Sequence, residues 1–134
     1  MGKQVKEYMQ DASGITVNVD MLMIEVLKKM IEQKSPVVVV TDAVRTLEGI
    51  ITGSDVIREL EKDVDSSVLR DGVAKHVMTP RPFFVAGDTL MIDAVDKMFR
   101  MRLHYLVVTG EYEPVGILTQ LGVVKWWLEE YLPT

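Results

Sequence analysis

The stretch Gly49-Ile50-Ile51-Thr52-Gly53-Ser54-Asp55 carries the side chains with the clearest chemical use in this chain of 134 residues. An apolar run ends there, the chain is read to turn on Gly53, and a helix opens with Ser54 or Asp55 as its N-cap. A helix start offers free backbone N–H groups and partial positive charge, so it suits a phosphate or another anion. The Asp55 carboxylate does the opposite. It accepts hydrogen bonds, and the vicinal hydroxyls of a ribose are a matching pair of donors. The competing reading is that Asp55 only caps its helix, while Thr52 and Ser54 satisfy turn backbone.

Other chemistry-bearing residues are sparse. Arg81 stands between Pro80 and Pro82 on a rigid turn, where it can meet a phosphate, a carboxylate or only solvent. His104 opens a strand, with Arg102 two residues before it. The two histidines lie in separate segments, so no metal site is expected. With no cysteine, disulfides, thiolate nucleophiles and cysteine-bound zinc are excluded. There is no nucleophile–base pairing, no phosphate-cradling glycine loop and no nucleophile elbow. The chain is therefore read as a binding protein and not an enzyme.

Composition narrows the partners. Hydrophobic residues make up 48% of the chain, enough for a substantial core, and the net charge is −5 with no basic tract. That argues against nucleic acid, whose binders rely on Lys and Arg at phosphates. The longest apolar run, residues 36–40, is too short to cross a membrane. The start shows neither an apolar signal segment nor the Ser or Thr of a myristoylation signal, so a cytoplasmic location is expected.

The elements that must position these residues occur twice. A helical lead-in (5–9) precedes a β-branched strand (15–19). Asp20 reads as the N-cap of a helix with Leu22, Met23, Val26, Leu27, Met30 and Ile31 on one face. The run from Val37 to Thr41 reads as a strand buried on both faces. A strand ending at Thr52 and a helix to about Lys62 follow. After a polar link, the order returns: a lead-in (73–77), a Pro-broken turn (78–82), a strand (83–85), Asp88 as N-cap and a helix with Leu90, Ile92, Ala94, Val95, Met98 and Phe99 on its face. Strands at 105–109 and 115–119 and a helix at 123–131 close the chain. Asp20 and Asp88, Met23 and Met91, Ile24 and Ile92, Met30 and Met98, and Thr41 and Thr109 are each 68 apart. Gly49 and Gly116, and Thr52 and Thr119, are 67 apart. Matches at a fixed offset across several elements mark an internal repeat. Each half alone is of marginal size, so the two are expected to pack with approximate two-fold symmetry around a ligand-sized cleft.

This repeat resembles a tandem pair of cystathionine-β-synthase (CBS) domains, a Bateman module. The resemblance rests on strand–helix–strand–strand–helix occurring twice, Gly-apolar-apolar-Thr-x-x-Asp closing the first copy, Met78-Thr79-Pro80 before the second, and Asp88-Thr89-Leu90 opening its helix. It covers about residues 5–132. It implies an α/β (α+β) fold of two β-α-β-β-α copies, written as 1–62 and 73–134 with a linker at 63–72. It also implies a regulatory module with no obligatory cofactor that binds AMP, ADP, ATP or S-adenosylmethionine between its copies. Carried over by position, Asp55 takes the ribose hydroxyls, and Thr52, Gly53 and Ser54 hold ribose and phosphate. Pro80, Arg81 and Pro82 line the base, and His104, assisted by Arg102, meets phosphate. The second copy is impaired: Gly122 stands where Asp55 stands in the first, and Ser35-Pro36 fills the place of the basic pair. One competent site is expected.

The remaining features bear on assembly. Most of the methionines Met21, Met23, Met30, Met91, Met98 and Met101 fall at helix-face spacing and read as packing residues. Trp126 and Trp127 point about 100° apart on one helix, so one is left for a partner chain or for its own helix surface. The resemblance implies a homodimer, and a further regulated protein that the sequence does not name. The alternative is a protein–protein interaction module with a degenerate nucleotide site. A small hydrolase of the bound nucleotide is a third reading that no residue pattern favours.

Overall fold

The computed structural model describes residues 2–132, a mixed α/β chain with two four-stranded sheets and five helices. It divides into two compact units, one spanning Ala12–Pro82 and the other combining the chain up to Asp11 with the chain from Phe83 onward. The compact units are thus offset from the sequence copies. The segment before each copy joins the sheet of the other copy.

In the Ala12–Pro82 unit the sheet order is β2 (Thr16–Asn18), β3 (Val37–Thr41), β4 (Leu47–Thr52), β5 (Thr79–Pro80). β2 runs parallel to β3, and β3–β4 and β4–β5 are antiparallel. Val37, Val38, Val39 and Val40 are all fully buried, as a central strand covered on both faces demands. Helices α1 (Met23–Gln33), α2 (Gly53–Lys62) and α3 (Ser67–Asp71) complete the unit. In the other unit β1 (Gln10–Asp11), β8 (Pro114–Thr119), β7 (Tyr105–Thr109) and β6 (Phe84–Ala86) form the sheet, with helices α4 (Met91–Met101) and α5 (Gln120–Tyr131). Its core gathers Val5, Met91, Ala94, Met98, Leu106, Val108, Leu118 and Trp126.

A pair of glycines allows each short outer strand to close in. A Cβ on Gly49 would lie 2.7 Å from Met78 Sδ and 2.8 Å from the Thr79 carbonyl oxygen. A Cβ on Gly116 would crowd Met9 Sδ and lie 2.7 Å from the Gln10 carbonyl oxygen. The repeat therefore extends to the backbone contacts that hold β5 on β4 and β1 on β8.

Four sequence expectations are corrected. Asp20 and Asp88 do not cap their helices. The N-caps are Leu22 and Leu90, with no side-chain cap bond. Backbone from distant chain does that work instead: the Met23 N–H donates to the Gly72 carbonyl at 2.9 Å, and the Met91 N–H to the Lys3 carbonyl at 2.9 Å. Asp20 pairs with Lys75 at 3.3 Å. Second, residues 63–72 are more than a polar link, because Ser66 caps α3 by accepting from the Leu69 N–H at 3.1 Å and Leu69 is buried. Third, the apolar faces are narrower than the spacing suggests. Met23 and Val26 in α1 and Met91, Ala94 and Met98 in α4 are buried, while Leu22, Ile31, Leu90, Ile92 and Phe99 are exposed. Fourth, among the methionines read as packing residues, Met101 is exposed.

Candidate functional site

α2 begins on Thr52, whose side chain accepts from the Asp55 N–H at 3.4 Å, while Asp55 Oδ2 accepts from the Thr52 N–H at 2.8 Å. This is a capping box, with Asp55 at the third helical position satisfying a backbone donor reciprocally. The N-cap is therefore Thr52, not Ser54 or Asp55. Gly53 is the first residue of α2, and no glycine among the described residues has positive φ. The Gly53 N–H donates to the Pro36 carbonyl at 3.2 Å, and nothing stands within 4 Å of where a Cβ would be. Ser54 is exposed beside it.

Asp55 is the chemical centre of this turn. It is 2% exposed, one of few buried polar residues among those described. Oδ2 also accepts from the Thr52 hydroxyl at 3.2 Å. Oδ1 accepts from the Thr79 hydroxyl at 2.7 Å and from Arg58 Nη2 at 2.5 Å. A carboxylate has about four lone-pair positions, and each here has a donor. A buried charge is tolerable on those terms, paired and hydrogen-bonded throughout. Among the described residues no buried side-chain polar atom lacks a partner.

The segment after Thr79 lies in the same unit. Pro80 stands opposite Gly49 in the β4–β5 pairing. Arg81 has a left-handed φ of 51°, and its N–H donates to the Glu48 carbonyl at 3.1 Å. Its side chain is exposed and Pro82 is half-buried. Thr52, Gly53, Ser54, Asp55, Pro80, Arg81 and Pro82 thus belong to one compact unit, with Thr79 bonding the turn to the β5 segment. Arg102 and His104 belong to the other unit. There they line a cavity of about 490 Å³ with Met98, Phe99, Arg100, Leu103 and Gln120. Arg102 ends α4 in a left-handed conformation with φ 55°. Arg100 is paired with Asp96 at 2.9 Å.

The second copy's turn keeps the cap and not the carboxylate. Thr119 accepts from the Gly122 N–H at 3.2 Å. A Cβ on Gly122 would lie 2.7 Å from the Tyr8 carbonyl oxygen, so backbone fills the space a side chain would need. Ser35, in place of the basic pair, is buried and donates to the Val37 carbonyl at 2.7 Å.

Sequence reading missed both outer partners of Asp55. Arg58 carried a signal, because a residue three positions on lies over the same helix face. Thr79 was visible only as part of Met78-Thr79-Pro80, with nothing local to aim it at Asp55. No cluster of three or more potential metal ligands exists among the described residues, and none of their helices is long and apolar enough to cross a membrane.

Two β-α-β-β-α copies, the first closed by a Thr-x-x-Asp turn, define the fold class, and comparison with known proteins gives it a family. The CBS domain pattern matches residues 5–62 and again 74–129, so the chain belongs to the CBS domain family. Among curated proteins it is similar to the CBS domain-containing protein CBSCBSPB2 of Arabidopsis thaliana, 25% identical over 123 residues, covering 87% of this chain and 22% of the relative. It is also similar to arabinose 5-phosphate isomerase KpsF of Escherichia coli, 38% identical over 84 residues, covering 63% of this chain and 25% of the relative. The chain thus spans a quarter or less of these relatives. Among solved structures, CBSX2 from Arabidopsis thaliana superposes with a TM-score of 0.79 at 25% identity, covering 96% of each chain. CBSX2 in complex with AMP gives a TM-score of 0.80 at 24% identity, covering 96% of this chain and 98% of that one. None of these comparisons assigns the chain a catalytic family.

Proposed function

We propose that this CBS pair is a non-catalytic, cytoplasmic regulatory module that binds an adenosine compound (AMP, ADP, ATP or S-adenosylmethionine) through the turn at the head of α2. The observation that carries this reading is the bond from the Thr79 hydroxyl to Asp55 Oδ1 at 2.7 Å. A buried carboxylate that already accepts an alcohol donor has the chemistry to accept a ribose hydroxyl. In this reading Asp55 takes the sugar, Thr52, Gly53 and Ser54 border it, and Pro80, Arg81 and Pro82 flank the base. The complex of the similar protein CBSX2 with AMP supports an adenosine ligand. Gly122 leaves the second turn without a carboxylate, which favours a single ribose-binding turn.

The test is a thermal-unfolding panel with AMP, ADP, ATP, S-adenosylmethionine and GTP on the natural chain and on Asp55→Asn. Asn keeps an oxygen for the Thr52 N–H, so the cap survives while the charge is removed. A ligand at a hundred times its Kd stabilises by about 2.7 kcal/mol, a shift of roughly 5–10 °C at this size. An adenosine compound should shift the natural chain and not Asp55→Asn, with GTP inactive. No shift with any of the five compounds sinks the proposal.

A second reading, a protein-interaction or homodimerisation module, has its own observation. Ile31 on α1 and Phe99 on α4 are repeat-related, 68 residues apart, and are 79% and 82% exposed. Large apolar side chains left bare at matching positions favour a protein partner.

A further inference from the structure

We propose that Arg58 is a gate on Asp55, holding the carboxylate in a closed, ion-paired state that an adenosine ligand must open. The inference rests on the adenosine reading above and adds a regulatory contact within that turn.

The argument is one of acceptor positions. Asp55 has no lone-pair position free, so an incoming ribose hydroxyl must displace a donor. Two of the four donors come from Thr52, and both are tied to the start of α2. Its N–H belongs to the capping box, and its hydroxyl also accepts from the Asp55 N–H. Thr79 is anchored by the β4–β5 pairing, Ile50 lying opposite Thr79. Arg58 is different. Its guanidinium sits at the end of a long side chain that is 53% exposed, and it reaches Asp55 from one turn along the same helix. It can leave Oδ1 by rotating into water without moving any backbone, and so costs the least to displace. Its departure opens one acceptor position on the oxygen that already takes the Thr79 hydroxyl. The Arg58–Asp55 pair thus occupies the proposed ribose acceptor with the chain's own cation.

Calorimetric titration with adenosine and with AMP tests this on the natural chain, Arg58→Ala and Arg58→Gln. Adenosine carries no phosphate, so it reports on the sugar and base alone. Arg58→Gln keeps most of the side chain's packing should Arg58→Ala fold poorly. Removing a half-exposed ion pair that competes with the ligand should tighten binding of both probes by about threefold to tenfold. Binding seen only in the variants would support the gate equally. If the variants bind adenosine no more tightly than the natural chain does, the gate is wrong and the adenosine reading stands. AMP weakened with adenosine unchanged would make Arg58 a phosphate contact and also overturn the gate. Absence of binding to all three chains overturns the gate together with the reading beneath it.

Discussion

The Thr79 hydroxyl donates to Asp55 Oδ1 at 2.7 Å, joining the head of α2 to a strand 24 residues further along the chain. That bond makes Asp55 a structural residue as well as a candidate ligand contact. Asp55→Ala removes a capping-box acceptor and leaves the Thr52 N–H and the Thr79 hydroxyl without their partner. The expected cost is about 1–3 kcal/mol. For a chain of this size that lowers Tm by roughly 3–10 °C. Asp55→Asn, which can still accept from Thr52, should lose less. Thermal unfolding of the two variants side by side checks this, and equal losses would mean that the capping bond contributes little.

Much of this architecture is legible in the sequence, and the residues that were misread share a cause. The valine run of β3 and the Tyr105–Thr109 run of β7 announce buried strands through β-branched composition, and the 68-residue offset announces the repeat. Local signals fail where the partner is remote. Asp20 and Asp88 have the right residue type for caps, but carbonyls of Gly72 and Lys3 reach those helix ends first. Phe99 has helical spacing and yet is 82% exposed. At the candidate site, the Thr52–Asp55 turn was visible as a motif. The Thr79 bond was not, because no pattern in sequence orients a hydroxyl across 24 residues.

Restoring the motif in the second copy should fail. Gly122→Asp puts a Cβ 2.7 Å from the Tyr8 carbonyl oxygen, and a backbone atom cannot swing aside as a side chain would. The variant is expected to lose roughly 1–3 kcal/mol through overpacking and to gain no second nucleotide. Denaturant unfolding gives the first quantity, and calorimetric stoichiometry the second. A stable variant that binds an additional nucleotide would show that the Tyr8 segment yields.

Lys34 ends α1 in the left-handed region with φ 51°, and the Ser35 N–H donates back to the Met30 carbonyl at 3.0 Å. This is a helix end at which glycine carries no steric penalty. Lys34→Gly should therefore stabilise by up to about 1 kcal/mol, raising Tm by a few degrees, whereas Lys34→Ala should not. A Lys34→Gly chain that melts below the natural one would show that the Lys34 side chain outweighs its backbone strain.

The adjacent tryptophans separate cleanly. Trp126 is buried in the core with Val5, Met91 and Leu118, while Trp127 is 47% exposed and stacks on Tyr131 with ring centroids 6.1 Å apart. Trp126→Ala opens a cavity and should cost about 3–5 kcal/mol. Trp127→Ala removes a surface stack and should cost under about 1 kcal/mol. Each variant retains one tryptophan as a fluorescence probe of urea unfolding. Comparable losses would mean that Trp127 is covered in solution, and would send attention to a partner on α5.

Ile31 and Phe99 decide whether the repeat also serves assembly. Both stand bare on their helices, so replacing them relieves no packing within the chain. Ile31→Asp and Phe99→Asp should leave unfolding free energy within about 0.5 kcal/mol of the natural value. If these positions meet a second copy, a buried unpaired carboxylate at the contact would cost several kcal/mol and shift the chain to monomer. Sedimentation equilibrium reads that shift directly. A natural chain that sediments as a monomer would remove the homodimer from the proposal. A natural dimer unmoved by either charge would place the contact elsewhere, with the exposed Trp127 face of α5 the next surface to test.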